Sequence, residues 1–167
     1  MTLHELFGEG EGQKTRSIRF KTIRPVWQTL AVRDVVTEYI GTRSRITTSR
    51  EVYDLFQFLS QETKEHFLAL HLDSKNRILC IDHVSSGSLN ASIVHPREVF
   101  KGCLLSSAAA VILLHNHPSG DPVASREDAE LTSRLKEAGE LLGIRVLDHV
   151  IIGNGCYISL ADRGLLS

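Results

Sequence analysis

The residues best suited to chemistry are His115, His117, Ser125 and Asp128, close together in the stretch Leu113-Leu114-His115-Asn116-His117-Pro118-Ser119-Gly120-Asp121-Pro122 and the run that follows it. An apolar run over residues 108–114 ends in two histidines separated by one residue. A run of that length is consistent with a buried strand. Residues i and i+2 of a strand share a face, so both imidazoles would leave the strand end on one side. Pro118 and the Gly-Asp-Pro that follows stop the strand and force a tight loop. Ser125-Arg126-Glu127-Asp128 then opens a helix, which returns Asp128 toward the strand end. Two imidazoles and a carboxylate suit Zn²⁺, and three protein ligands leave the fourth tetrahedral position for water. On spacing alone, a His-x-His pair more often describes surface residues or a strand cap. Ser125 and Asp128 also read as a helix cap, with the carboxylate favoured by the helix dipole. The cap does not compete with ligation, because a carboxylate in a first helical turn is already held at a defined position.

Several elements must carry these groups. Thr47-Thr48-Ser49 is a cap cluster, and Val52, Leu55, Phe56 and Leu59 follow at helical spacing, ending near Ser60-Gln61. Residues 65–73 read as a mostly buried strand and residues 77–85 as a second, joined by the turn Asp73-Ser74-Lys75-Asn76. Residues 92–94 form a short strand in this reading, and Pro96 sits at the first position of a helix through Val99, Phe100 and Leu104. After the histidine loop, residues 125–142 give the clearest helix. Ala129, Thr132, Leu135, Ala138 and Leu142 form its apolar stripe and Gly143 its stop. Residues 145–152 are a strand, Gly153-Asn154-Gly155 a hairpin turn, and residues 156–159 pair back. The order is helix, hairpin, strand, helix, strand, helix, hairpin. It predicts an α+β fold, a mixed α/β sandwich with one mostly antiparallel sheet.

The chain has 167 residues, enough for one domain with an extension, and 42% hydrophobic residues, enough for a packed core. A formal net charge of −1 gives no global argument for nucleic acid or membrane. No apolar stretch has transmembrane length, and Met1-Thr2-Leu3-His4-Glu5 lacks the pattern of a secretory signal. Cys80, Cys103 and Cys156 are widely spaced and outside any Cys-x-x-Cys pair, so they read as reduced thiols of a cytoplasmic protein. Residues 1–13 read as a loose tail. From Lys14 to Arg45 the composition turns basic, with Arg16, Arg19, Lys21, Arg24, Arg33 and Arg43 against only Asp34 and Glu38. Residues 16–23 are an edge strand at best, and residues 32–40 are apolar enough to dock on a core. Such a segment could touch a phosphate backbone weakly. The preferred reading is a solvated charged edge, because few aromatics are interleaved.

From about Glu65 to Gly164 the chain resembles a known family. His115-x-His117-Pro118 followed by Ser125 and Asp128 resembles the JAMM (JAB/MPN+) metalloprotease motif. The fuller string His-Asn-His-Pro-Ser-Gly-Asp-Pro with Ser-Arg-Glu-Asp resembles its RadC-like branch. The stretches Asn90-Ala91-Ser92-Ile93-Val94-His95-Pro96-Arg97-Glu98-Val99 and Asp148-His149-Val150-Ile151-Ile152 carry the same resemblance. It implies a cytidine-deaminase-like three-layer fold over residues 46–167, with residues 1–45 as tail and basic extension. It also implies a zinc-dependent hydrolase, a peptidase or isopeptidase acting on a peptide or protein that the residues do not name. His115, His117 and Asp128 would hold the zinc, which lowers the pKa of a bound water toward about 7. The family's upstream glutamate, its general base, corresponds to Glu65, with Glu62 the nearby competitor. Ser125 would hydrogen-bond the oxyanion. Asp148, Asp121 and Asn116 are the candidates to support the ligand imidazoles. His149 reads as a core or supporting histidine rather than a fourth ligand. The helix-hairpin-helix module of longer RadC proteins has no counterpart here. The alternative is a DNA-repair or mobile-element accessory with a structural or vestigial zinc. Deaminase chemistry is disfavoured, since His-x-Glu with Pro-Cys-x-x-Cys is absent.

Overall fold

The computed structural model describes residues 45–87 and 94–166. The expected tail, edge strand and basic segment, and most of the short strand at 92–94, lie outside the described residues. Helix α1 spans Ser49–Phe56 and continues as a 3₁₀ turn over Gln57–Gln61. Strands β1 (Glu65–Leu72) and β2 (Ile78–Gly87) form the hairpin, and α2 follows at Pro96–Leu105. Strand β3 is Ala110–Asn116, helix α3 Arg126–Leu142, β4 Arg145–Ile152 and β5 Tyr157–Ser159. Among these residues no helix is long and apolar enough to cross a membrane.

Local chemistry sets the boundaries. Thr48 caps α1 in a reciprocal box with Glu51, whose carboxylate accepts from the Thr47 and Thr48 amides. The Asp73 carboxylate accepts from the Lys75 and Arg77 amides and closes the β1–β2 turn, with Asn76 at φ 59. His95 caps α2 and Pro96 opens it. Gly143, at φ 70, ends α3 in the left-handed conformation that glycine adopts without cost.

The sheet order is β2-β1-β3-β4-β5. All its pairs are antiparallel except β3–β4, which is parallel and bridged by α3. The result is the mixed α/β sandwich that the element order implied, in the three layers that the family resemblance implied. Leu68, Leu70, Leu72, Ile112, Leu114, Val150 and Ile152 pack toward α1. Phe67, Ala69, Val111, Leu113 and Val146 pack toward α2 and α3. Because side chains alternate across a sheet, His115 and His117 fall on the α2/α3 face.

Two details differ from the sequence reading. The buried stripe of α3 is Asp128, Leu131, Thr132, Leu135 and Gly139, whereas Ala129 and Leu142 are exposed. The helix is rotated so that Asp128, not Ala129, faces the sheet. The second difference is in β4. Val111 pairs with Val146 but Ile112 pairs with Asp148, leaving Leu147 as an extra residue. A one-residue slip exchanges the faces of every later side chain. Here it turns His149 onto the face of Leu113 and His115.

Helix α3 approaches the sheet closely at Gly139, where an added Cβ would clash with the Ile144 carbonyl oxygen and stand 3.2 Å from Phe100 Cζ. Backbone is the obstacle, so the site cannot relax cheaply. Gly139→Ala is expected to lower stability by about 1–3 kcal/mol, read as a lower urea midpoint at unchanged m-value.

Candidate metal centre

Antiparallel pairing of β1 with β3 sets Phe67 opposite His115, so the start of β1 lies beside the end of β3. The parallel β3–β4 pair continues to Asn116 opposite Ile152, and the His117 amide still donates to the Ile152 carbonyl at 2.9 Å. His117 is therefore fixed by backbone although it lies past the strand. The chain turns at Gly120, whose amide donates to the His117 carbonyl at 2.9 Å, and re-enters helix at Ser125. There Ser125 and Asp128 form a capping box. The Asp128 amide donates to Ser125 Oγ, and Asp128 Oδ2 accepts from the Ser125 amide at 2.7 Å and its hydroxyl at 2.6 Å. The helix cap and the delivery of the carboxylate are one arrangement.

Three donor groups converge. His115 Nε2 is 2.9 Å from His117 Nε2 and 3.2 Å from Asp128 Oδ1, and His117 Nε2 is 3.5 Å from Asp128 Oδ2. Ligands about 2.0–2.1 Å from a tetrahedral ion stand about 3.3 Å apart, so these separations suit zinc. His115 is fully buried, His117 slightly exposed and Asp128 buried. Among the described residues this is the group of His, Cys, Asp and Glu side chains placed to hold an ion.

The hydrogen bonds behind the rings decide what the converging atoms are. Thr132 Oγ1 donates to the Asp128 main-chain carbonyl at 2.6 Å, so it presents lone pairs to His149 Nδ1, also 2.6 Å away. His149 Nδ1 must then carry its ring's proton, and its Nε2 accepts from His115 Nδ1 at 2.8 Å. His117 Nδ1 donates to the Asp121 main-chain oxygen at 2.7 Å. In the neutral rings both Nε2 atoms are consequently bare lone pairs, aimed at one another and at a carboxylate. Only a cation makes that arrangement attractive, either a proton on one ring or a metal ion among all three groups. The donor set fits a borderline-soft divalent ion such as zinc.

Electrostatics follow the same logic. The Asp128 carboxylate raises the pKa of His117 above the ordinary value, against the opposing effect of burial, with Glu65 adding charge. Burial works against the ionised Asp128, but the His115 and His117 imidazoles, when protonated, and the Ser125 hydroxyl hold its carboxyl far below the usual range. Burial, and after it the neighbouring His115, pushes His149 well below the ordinary value and keeps it neutral. Phe67 stacks on His115 and meets His149 edge-on, walling this side from water.

An open cleft of about 570 Å³ lies over the cluster, lined by Glu65, His117, Pro118, Ser119, Ser125, Glu127 and Asp128. Glu65 shares this cleft. Glu62 is not among its lining residues, and its carboxylate instead lies 3.6 Å from His66 Nε2. Ser125 lines the cleft as well, with its proton directed to Asp128. Of the three candidates to support the imidazoles, Asp121 does so, through its main-chain oxygen; its carboxylate caps the Val123 amide instead. Asp148 does not reach the rings, because the β4 slip aims it at Ser159 and the Ala161 amide. Burial raises its pKa against the pull of these donors. Asn116 bonds to the backbone of β1. The partner of His115 is His149, with both ring nitrogens committed. The sequence reading placed Thr132 only in the apolar stripe of the helix, with no part in the site. Its position four residues after Asp128, on the same helical face, was the available signal.

Residues 46–165 match the family described as the RadC-like JAB domain. A UPF0758 protein of Pelobacter propionicus is 59% identical over 123 residues, covering 73% of this chain and 54% of the relative. A UPF0758 protein of Trichlorobacter lovleyi is 60% identical over 128 residues, 76% of this chain and 56% of the relative. One from Methanosarcina mazei is 54% identical over 125 residues, 74% and 55% of the two chains. The matched part is thus about half the length of the curated relatives.

In metal-free protein a raised His117 pKa favours the folded state fully below the unfolded value of 6.5, and the gain is lost as pH rises through the folded value. The melting temperature of metal-stripped protein should therefore fall between about pH 6 and pH 8. The fall should be smaller in His117→Ala. Zinc at about 100 times its dissociation constant should restore about 2.7 kcal/mol at the upper pH. Replacing His149 by Leu removes the acceptor for His115 Nδ1, and should weaken zinc binding about 10–100-fold in a chelator competition.

Proposed function

The chain belongs to the RadC-like JAB domain family, and from that premise we propose that it is a zinc-dependent hydrolase of the JAMM type, a peptidase or isopeptidase acting on a peptide or protein substrate. His115, His117 and Asp128 hold the zinc in this reading. Bound there, zinc supplies an acidified water and polarises the scissile carbonyl.

The protein's own groups do the rest. Glu65 accepts a proton from the attacking water and passes it to the leaving nitrogen, so the proton lost by the nucleophile ends on the amine. Ser125 turns its hydroxyl from Asp128 toward the carbonyl oxygen under attack and stabilises its developing charge. Asp128 remains held by the Ser125 amide meanwhile. His149 and Thr132 keep His115 in the tautomer that leaves Nε2 free. Pro118 and Ser119 form the cleft wall against which a substrate backbone would lie.

The observation that carries the reading is the shared cleft. A carboxylate outside the ligand set, Glu65, lines the same opening as His117, Ser125 and Asp128. A zinc serving structure alone would be closed by a fourth protein ligand. The nearest remaining histidine, His149, has both nitrogens engaged elsewhere.

The test is peptide hydrolysis by zinc-loaded protein against a mixed peptide library, read by mass spectrometry. Glu65→Gln is expected to retain about one zinc per chain and lose about 10²–10⁴-fold in rate. Equal rates for Glu65→Gln and the unaltered protein would refute the role of Glu65. Absence of zinc from the purified protein would refute the centre itself.

A further inference from the structure

Asn116 lies between the two histidines and is fully buried, and its carboxamide bonds to main chain rather than to their rings. The β1–β3 ladder stops at the pair Phe67 and His115, while β3 stays paired with β4 through Asn116. The two strands part at the point where Glu65 must stand beside the histidines. The Asn116 amide fills the opening. Its Oδ1 accepts from the His66 amide at 2.8 Å, and its Nδ2 donates to the Lys64 carbonyl at 3.0 Å. The amide and carbonyl of alternate strand residues point to the same side, so one planar carboxamide satisfies both as a peptide group of a neighbouring strand would. The bonded groups flank Glu65 in sequence on both sides.

We propose that Asn116 is the positioning residue for Glu65. It carries the β1–β3 register past the end of the ladder and sets where the carboxylate stands relative to His117 and Asp128. The inference rests on the hydrolase reading for its purpose, but the clamp itself does not need catalysis to be measured. The same peptide unit that fixes His115 and His117 also fixes Glu65. Ligands and base are therefore held by one short segment rather than by two independently moving strands. A side chain without paired acceptor and donor cannot make both contacts, and an aliphatic one would leave a half-buried N–H and C=O without this partner.

The experiment compares Asn116→Ala, Asn116→Asp and Glu65→Gln in the full chain loaded with Zn²⁺ or Co²⁺. The readouts are hydrogen exchange of the His66 amide, the Co²⁺ visible spectrum, metal content and peptide hydrolysis. Asn116→Ala is expected to bind metal stoichiometrically and to speed exchange at His66 at least about tenfold. It should change the Co²⁺ spectrum in the same sense as Glu65→Gln and cut hydrolysis about 10²-fold. Adding Glu65→Gln to it should change the spectrum no further, because coupled residues are not additive. Asn116→Asp keeps the acceptor for His66 and loses the donor for Lys64. It should leave His66 protected and shift the spectrum by less, and it decides the matter alone if the alanine variant does not fold. Unchanged His66 exchange in Asn116→Ala, or a wild-type spectrum and rate in either variant, overturns the clamp while leaving the hydrolase reading intact. If no variant or wild-type protein hydrolyses peptides, the hydrolase reading falls. The exchange and spectral comparisons then still decide the clamp.

Discussion

Three electron-rich groups are forced together at the floor of an open cleft, and only a positive charge between them makes their convergence favourable. Lone pairs on His115 and His117 and the charge of Asp128 would repel if left alone. The fold does not let them relax. His115 is locked from behind by His149, His117 by the Asp121 carbonyl, and Asp128 by its own helix cap. A protonated imidazole relieves part of the conflict, but a divalent ion engages all three groups. Preorganised repulsion of this kind is how a protein makes an ion-binding position without reshaping itself on binding.

The sheet and helix geometry imposes the convergence. An antiparallel neighbour on one side of β3 brings the beginning of β1 to the histidines, while a parallel neighbour on the other brings the end of β4. The connection that makes the parallel pair has to be a long crossover. Its helix starts where β3 ends, so the carboxylate at its first turn lies over the strand terminus. The helix dipole favours that negative charge in the same place.

Much of this was readable in the order of residues. The apolar run before His115, the Pro-Ser-Gly-Asp-Pro loop and the Ser125/Asp128 cap each have a local physical signature, and each places one member of the cluster. Strand and helix boundaries marked by Thr48, Pro96 and Gly143 were similarly local. What escaped was set by tertiary packing. Ala129 looked like a core position on helical spacing, but one step of rotation was needed to turn Asp128 inward. Asp148 looked like the acidic partner that a ligand histidine commonly has, yet it faces the other layer. The residue that takes its place is His149, and no periodicity in the sequence announces the extra Leu147 that puts it there. Glu65 was already preferred to Glu62 in the sequence, and of the two it is Glu65 that lines the cleft.

That supernumerary leucine has a consequence for charge. An anionic acceptor behind His115 would push electron density through the ring onto the ion. The neutral imidazole that Leu147 swings into its place donates less. With one aspartate as the sole anionic ligand, a dication here would retain a net single positive charge and a hard electrophilic character. The same residues paired without the slip would keep the cluster but set Asp148, not His149, opposite Leu113, and this muted backing would be lost. Electron-withdrawing strength at the ion would then be adjusted by the register of a strand that never touches it.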